Sequence, residues 1–227
     1  MTMIKVENVD VFNFEGAIRG MRNPMNSWDK SDSYHETFGH YIIGKNDLNL
    51  MRTLYNAGSE HRKYLRQIFV SMDITAPLYW WKEFDTYKIG TTADSCSTMH
   101  KIHAKEFAVE DFSTEHLETL ARFDEDGEMH KPYMVLKVVI DCLNACRNSY
   151  LQTKNKTDWW QMIQLLPSSY NQRRTVTMTY ENVVTMIKQR TGHKLDEWRE
   201  FVEILKDLPY VKDIMNAMGE TTNETNI

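Results

Sequence analysis

The chain has 227 residues, with 27 lysines and arginines against 32 aspartates and glutamates, for a net charge of -5. That length can enclose one sizeable core, and no Pro/Gly/Ser-rich linker divides it. The acidic balance argues against a dedicated nucleic-acid binder while leaving room for a local basic patch that holds phosphate.

Ile4 to Phe14 alternates apolar and polar residues and predicts a strand, followed by a short helix from Gly16 to Arg22. Leu48, Met51, Leu54 and Tyr55 recur at helical spacing from Asp47 to Tyr55, with Gly58 as the stop. A second strand is predicted from Gln67 to Ile74, and Pro77 is placed to open the next helix at its first turn. Gly90 ends that helix and begins a loop rich in hydroxyls. Asp124-Glu-Asp-Gly-Glu128 reads as a solvated turn. Tyr133 to Tyr150 predicts a long helix, with Val135, Val138, Val139, Cys142 and Cys146 on its core face. Helices are also expected from Asp158 to Leu166, Tyr180 to Arg190 and Leu195 to Leu205. The polar tail from Glu220 to Ile227 is expected to fray.

No apolar run approaches the ~20 residues of a membrane span, and the first residues lack a secretory pattern, so a cytoplasmic location is expected. Cys96, Cys142 and Cys146 imply no disulfide framework and read as free thiols.

Residues 76–101 carry the most chemistry. Tyr79, Trp80, Trp81 and Phe84 are interleaved with charges, and hydroxyls crowd around Cys96. Two readings stand side by side: stacking surfaces for a planar anionic ligand, or an amphipathic helix whose aromatic face enters the core. Because 79, 80 and 81 are successive positions about 100° apart, the block is expected to meet a ligand ring or a neighbouring subunit as well as its own core.

No metal site is expected. The histidines of His35-Glu-Thr-Phe-Gly-His40 are five apart, off a common helical face, and His100, His103 and Glu106 lack a further strong ligand. There is no Walker loop and no Gly-x-Gly-x-x-Gly. Cys96 stands among Ser95, Ser97 and Thr98, near Lys88 and His100 in sequence, either as a nucleophile or as an inert thiol. Arg173, Arg174 and Arg190 offer fixed positive charge suited to phosphate, or are ion-paired.

Two segments together resemble the flavin-dependent thymidylate synthases, whose signature has the form Gln-x-x-Arg-His-Arg-x-x-Ser-x-Asn-Glu-x-Ser-x-Arg. Laid from Pro77 without a gap, Glu83 falls at the glutamine and Thr86, Tyr87 and Lys88 fall at Arg-His-Arg. Thr91 meets the first serine, Ala93 the asparagine, Asp94 the glutamate, Cys96 the second serine and Thr98 the last arginine. Leu166-Pro167 matches a later Leu-Pro element. Thr179 and Glu181 replace an asparagine and an arginine, and Arg190 matches the arginine that contacts dUMP in that family. Asn26-Ser27-Trp28 resembles an early serine segment, and Leu54 to Ile74 a helix, Gly-His turn and strand with His61 near the histidine.

The resemblance implies an α+β domain over residues 1–219, with a central, mostly antiparallel sheet flanked by helices, assembled as a homotetramer. It implies FAD as cofactor, held by Ser27, His61, Tyr87, Lys88 and Asp94, and a pyrimidine nucleotide held by Glu83, Thr91, Ser97, Arg173, Arg174 and Arg190. The implied reaction is reductive methylation of dUMP with methylene-tetrahydrofolate and NADPH as co-substrates. The alternatives are a non-catalytic nucleotide-binding or structural relative, and an altered reaction in which Cys96 is the catalytic nucleophile. Thr86, Thr98 and Glu181 remove positive charge from phosphate-binding positions, at roughly 1.5–3 kcal/mol for each charge-assisted hydrogen bond lost.

Overall fold

A computed structural model describes residues 3–37 and 39–216; the expected polar tail lies outside the described residues. In chain order, strand β1 (Lys5–Phe12) leads into α1 (Phe14–Arg22), then a hairpin of β2 (Tyr34–His35) and β3 (Tyr41–Ile42), and α2 (Lys45–Asn56). Strand β4 (Phe69–Pro77) runs directly into α3 (Leu78–Phe84), followed by β5 (Thr91–Ser95) and a small hairpin of β6 (Arg122–Phe123) and β7 (Met129–His130). Helices α4 (Pro132–Thr153) and α5 (Lys156–Leu165) precede β8 (Asn171–Thr179), and α6 (Tyr180–Arg190), α7 (Asp196–Lys206) and α8 (Val211–Met215) close the chain.

Among the described residues, the main sheet has the order β1-β4-β8-β5, giving the α+β class with a mostly antiparallel sheet and flanking helices. The chain divides into two compact units, one of residues 73–86 and 93–175 with the first strand residues, the other of 7–72, 87–92 and the segment from 176 onward. The boundary cuts all four strands of this sheet, which is why no linker marks it in the sequence.

In the first unit, α3 is a core helix. Trp80 is 0% exposed and Trp81 1%, and with Phe84 they form a three-ring cluster with centroids 4.9, 5.1 and 5.2 Å apart. The expectation that one tryptophan faces a ligand or a second subunit is therefore corrected: both are covered within their own chain. Pro77 sits just before α3 as its cap, in extended geometry, rather than inside its first turn.

Helix α4 buries Leu136, Ile140 and Leu143 among Ile102, Phe107, Phe112 and Met162, with Val139 and Cys146 half-covered. Val135, Val138 and Cys142, expected on that face, are exposed. Two apolar stripes lie about 100° apart on this helix, and the bulkier side chains take the core.

In the second unit, Ile18, Met51, Leu65, Val183, Trp198 and Phe201 are buried. Beside them Arg22 Nε donates to Asp47 Oδ1 at 2.6 Å, with both side chains out of solvent. Asp47 Oδ2 accepts from the hydroxyls of Ser31 and Ser33 and from the backbone amides of Asp32 and Ser33. Burial raises the pKa of the Asp47 carboxyl, but the hydrogen bonds from Ser33, Ser31 and Arg22 outweigh it, so the net shift is downward.

The hydroxyl-rich segment after Gly90 is strand β5 rather than a loop. Thr91 and Thr92 begin it, in keeping with the β preference of threonine. No helix among the described residues is long and apolar enough to cross a membrane.

Candidate functional site

In the first unit a cleft of about 320 Å³ is bounded by Thr75, Cys96, Ser97, Thr98, Lys101, Ile102, Tyr170 and residues 171–173 of β8. The floor is built by strand pairing. The Cys96 amide donates to the Arg173 carbonyl at 2.9 Å, and the buried Gln172 side chain donates through Nε2 to the Cys96 carbonyl at 2.8 Å. The Gln172 carbonyl accepts from Trp81 Nε1 at 2.9 Å, so the core helix α3 fixes the strand that fixes Cys96.

Side chains at 173 and 174 point to opposite faces of β8. Arg173 Nη2 pairs with Asp73 Oδ2 at 2.7 Å and lines the cleft. Arg174 instead stacks 4.2 Å above Trp81, donates to Gln172 Oε1 and pairs with Asp85. Its guanidinium is a structural brace.

The Cys96 thiol is exposed. Ser97 accepts at Oγ from the amides of Met99 and His100. Burial, then Asp111 and Cys96, raise the pKa of the Tyr170 phenol, so it stays protonated and able to donate. Lys101, Arg173 in its pair with Asp73, several hydroxyls and an aromatic ring line one cleft, groups that can hydrogen-bond a small phosphorylated ligand.

The second unit holds Tyr87 and Arg190. Arg190 Nε donates to the Tyr87 hydroxyl at 2.9 Å, which donates to Gln189 Oε1 at 2.9 Å. The guanidinium lies 4.7 Å from the centroid of buried Trp198 and 3.0 Å from His193 Nε2. The turn before Thr91 is set by Gly90 at φ 76, where a Cβ would come within 3.3 Å of Thr179. Asn182 donates to the Ile89 carbonyl and to the Thr91 hydroxyl.

The remaining candidate residues take other places. Ser27 accepts an Arg22 hydrogen bond at its carbonyl, 3.0 Å, and lies with Oγ 3.5 Å from the same nitrogen. His61, Lys88 and Asp94 are exposed, and Glu83 is half-buried at the end of α3, where its carbonyl accepts from Thr86 Oγ1. The structure thus gathers Cys96, Ser97 and Arg173 into one cleft and joins Tyr87 to Arg190 in another unit. Thr75, Lys101, Tyr170 and Gln172 enter the cleft without having been singled out from sequence. The missed signal was the alternation of Thr175, Val176, Thr177 and Met178, which marks β8.

No protein-family model and no curated protein sequence matches this chain. Solved structures do. Thymidylate Synthase X (ThyX) from Helicobacter pylori, solved with FAD and dUMP, is similar with a TM-score of 0.64 at 15% identity, over 93% of this chain and 97% of that one. The fold is ThyX-like. A second Helicobacter pylori ThyX structure with FAD and dUMP gives 0.63 at 16% identity over 92% and 98%. The UMP/dUMP methylase PolB from Streptomyces cacaoi, bound with 5-Br dUMP, gives 0.60 at 14% identity over 89% and 88%. At these identities the likeness speaks for the fold alone.

Proposed function

We propose that this chain is a pyrimidine-nucleotide-modifying enzyme on a ThyX-like fold, with the Cys96–Arg173 cleft as its nucleotide site. The observation that carries the reading is the convergence of Cys96, Ser97 and Arg173 with Lys101 in one cleft, in a fold shared with structures solved with dUMP. In this reading Arg173 and Lys101 neutralise the phosphate, and the hydroxyls of Ser97 and Thr98 complete its hydrogen bonds. Tyr170 supplies a protonated phenol beside the ligand.

The reaction proposed is reductive methylation of dUMP or a related pyrimidine nucleotide. FAD, if bound and reduced by NADPH, would supply a hydride, and methylene-tetrahydrofolate would give the carbon. The residues assigned to FAD by the resemblance do not fit it within one chain. The Tyr87 hydroxyl is taken up by Arg190 and Gln189, the Ser27 carbonyl accepts from Arg22, and Asp94 brings an exposed carboxylate, which repels a pyrophosphate. FAD therefore enters the proposal only as a ligand of an assembled homo-oligomer, a tetramer by the resemblance, in which other copies complete the cradle. A cytoplasmic location goes with this reading.

The exposed Cys96 thiol at the cleft favours a second reading, in which its sulfur adds to the pyrimidine ring and leaves after substitution. Titrating the purified protein with FAD and following visible absorbance and oligomeric mass separates the readings. Flavin bound by the oligomer supports the first. Nucleotide binding without flavin, with Cys96 alkylation blocked by dUMP, supports the second, and nucleotide binding with neither property marks a non-catalytic relative.

A further inference from the structure

We infer that Cys142 and Cys146 form a dithiol site on α4 that takes one soft, thiophilic centre, such as a trivalent arsenical, through both sulfurs at once. The two residues are four apart in a regular helix, so they share a face with Cβ atoms about 5–6 Å apart. Cys142 is exposed and Cys146 half-buried, so a reagent can reach the pair. Burial raises the pKa of the Cys146 thiol, and the Cys142 thiol beside it raises it further, as expected for two sulfurs in mutual contact.

Helix geometry selects the ligand. A disulfide needs Cβ atoms about 3.5–4.5 Å apart, closer than this helix spacing provides, so oxidation would distort α4. A bridging centre with bonds of about 2.3 Å to each sulfur spans the gap with the helix intact. Thiolates prefer soft partners. Among the described residues no group of three or more His, Cys, Asp or Glu side chains is placed to hold a metal ion, so the pair offers two ligands and not the four of structural zinc. No residue of α4 lines the nucleotide cleft, and the site does not depend on that assignment.

Phenylarsine oxide is the probe. Two S–H bonds break and two As–S bonds replace the arsenic–oxygen bonds; both protons leave with the oxide oxygen as water, and arsenic remains trivalent. The full chain is treated with one equivalent, challenged with excess glutathione, and followed by intact mass. The wild type should keep one arsenical and lose it about a hundredfold more slowly than Cys142→Ala or Cys146→Ser, because the second sulfur recaptures the centre intramolecularly. A dithiol such as 2,3-dimercaptopropanol should remove it, and Cys96→Ser should retain it as the wild type does. Circular dichroism checks that α4 survives Cys142→Ala, a change to a strong helix former at an exposed position. Equal loss from wild type and Cys142→Ala, or retention after both cysteines are replaced, overturns the site.

Discussion

Gln172 holds Cys96 by a side-chain-to-backbone hydrogen bond of 2.8 Å, and its own Oε1 accepts from Arg174 Nε at 3.0 Å. This amide is the hinge between the aromatic core and the cleft. Gln172→Leu leaves a carbonyl and a guanidinium nitrogen without their partner and should lower stability by about 1–3 kcal/mol. Gln172→Glu keeps the acceptor for Arg174 but sets a carboxylate oxygen against the Cys96 carbonyl at a buried position, so urea denaturation should find it destabilised as well, and less so at a pH low enough to protonate the new carboxyl.

Trp80 and Trp81 are both buried, so neither is spared for an interface. Each Trp→Ala change should cost about 3–5 kcal/mol, measured as a shifted denaturation midpoint at constant slope. A tryptophan whose removal lowers oligomeric mass while leaving stability intact would contradict the packing of α3.

The Arg22–Asp47 pair gives an acid limb to the stability profile. The Asp47 carboxyl sits below its ordinary value of 3.8 in the folded chain, so its contribution is complete above that value and is lost as pH falls through the folded pKa. Asp47→Asn should flatten this part of the stability curve below about pH 4. Arg22→Met strands a buried carboxylate and should cost about 3–5 kcal/mol near neutral pH. Thermal unfolding across pH reads both.

Arg190 is built into its unit by Tyr87, His193 and Trp198. Arg190→Ala should therefore lower stability by about 1–3 kcal/mol whatever it does to ligand affinity. Arg190→Lys keeps the charge and loses the planar fork, so it should fall between the two in thermal unfolding.

The long periodic elements were legible in the sequence. The α6 range matches, and α2, α5 and α7 are displaced by a residue or two at their ends, because their stripes are unambiguous. Strands β5 and β8 were not legible. β5 is mostly exposed and shows no buried alternation, and the Arg173-Arg174 dipeptide hides the alternation of β8. The choice between the Leu136 and Val138 stripes of α4 rests on what α5 presents to it, which local pattern does not contain. For the cleft, Cys96 could be named from motif spacing, Ser97 from the hydroxyl run around it and Arg173 from its fixed charge, whereas Gln172 and Lys101 reach it only through the pairing of β5 with β8.

Isothermal titration with dUMP tests the central claim most directly, comparing wild type with Arg173→Ala and Lys101→Ala. The nucleotide assignment of the cleft predicts saturable binding by the wild type, weakened roughly ten- to a hundredfold by either change, the equivalent of about 1.5–3 kcal/mol for a charge-assisted contact. Wild-type protein that does not bind dUMP, or variants that bind it as tightly as the wild type, would contradict the assignment.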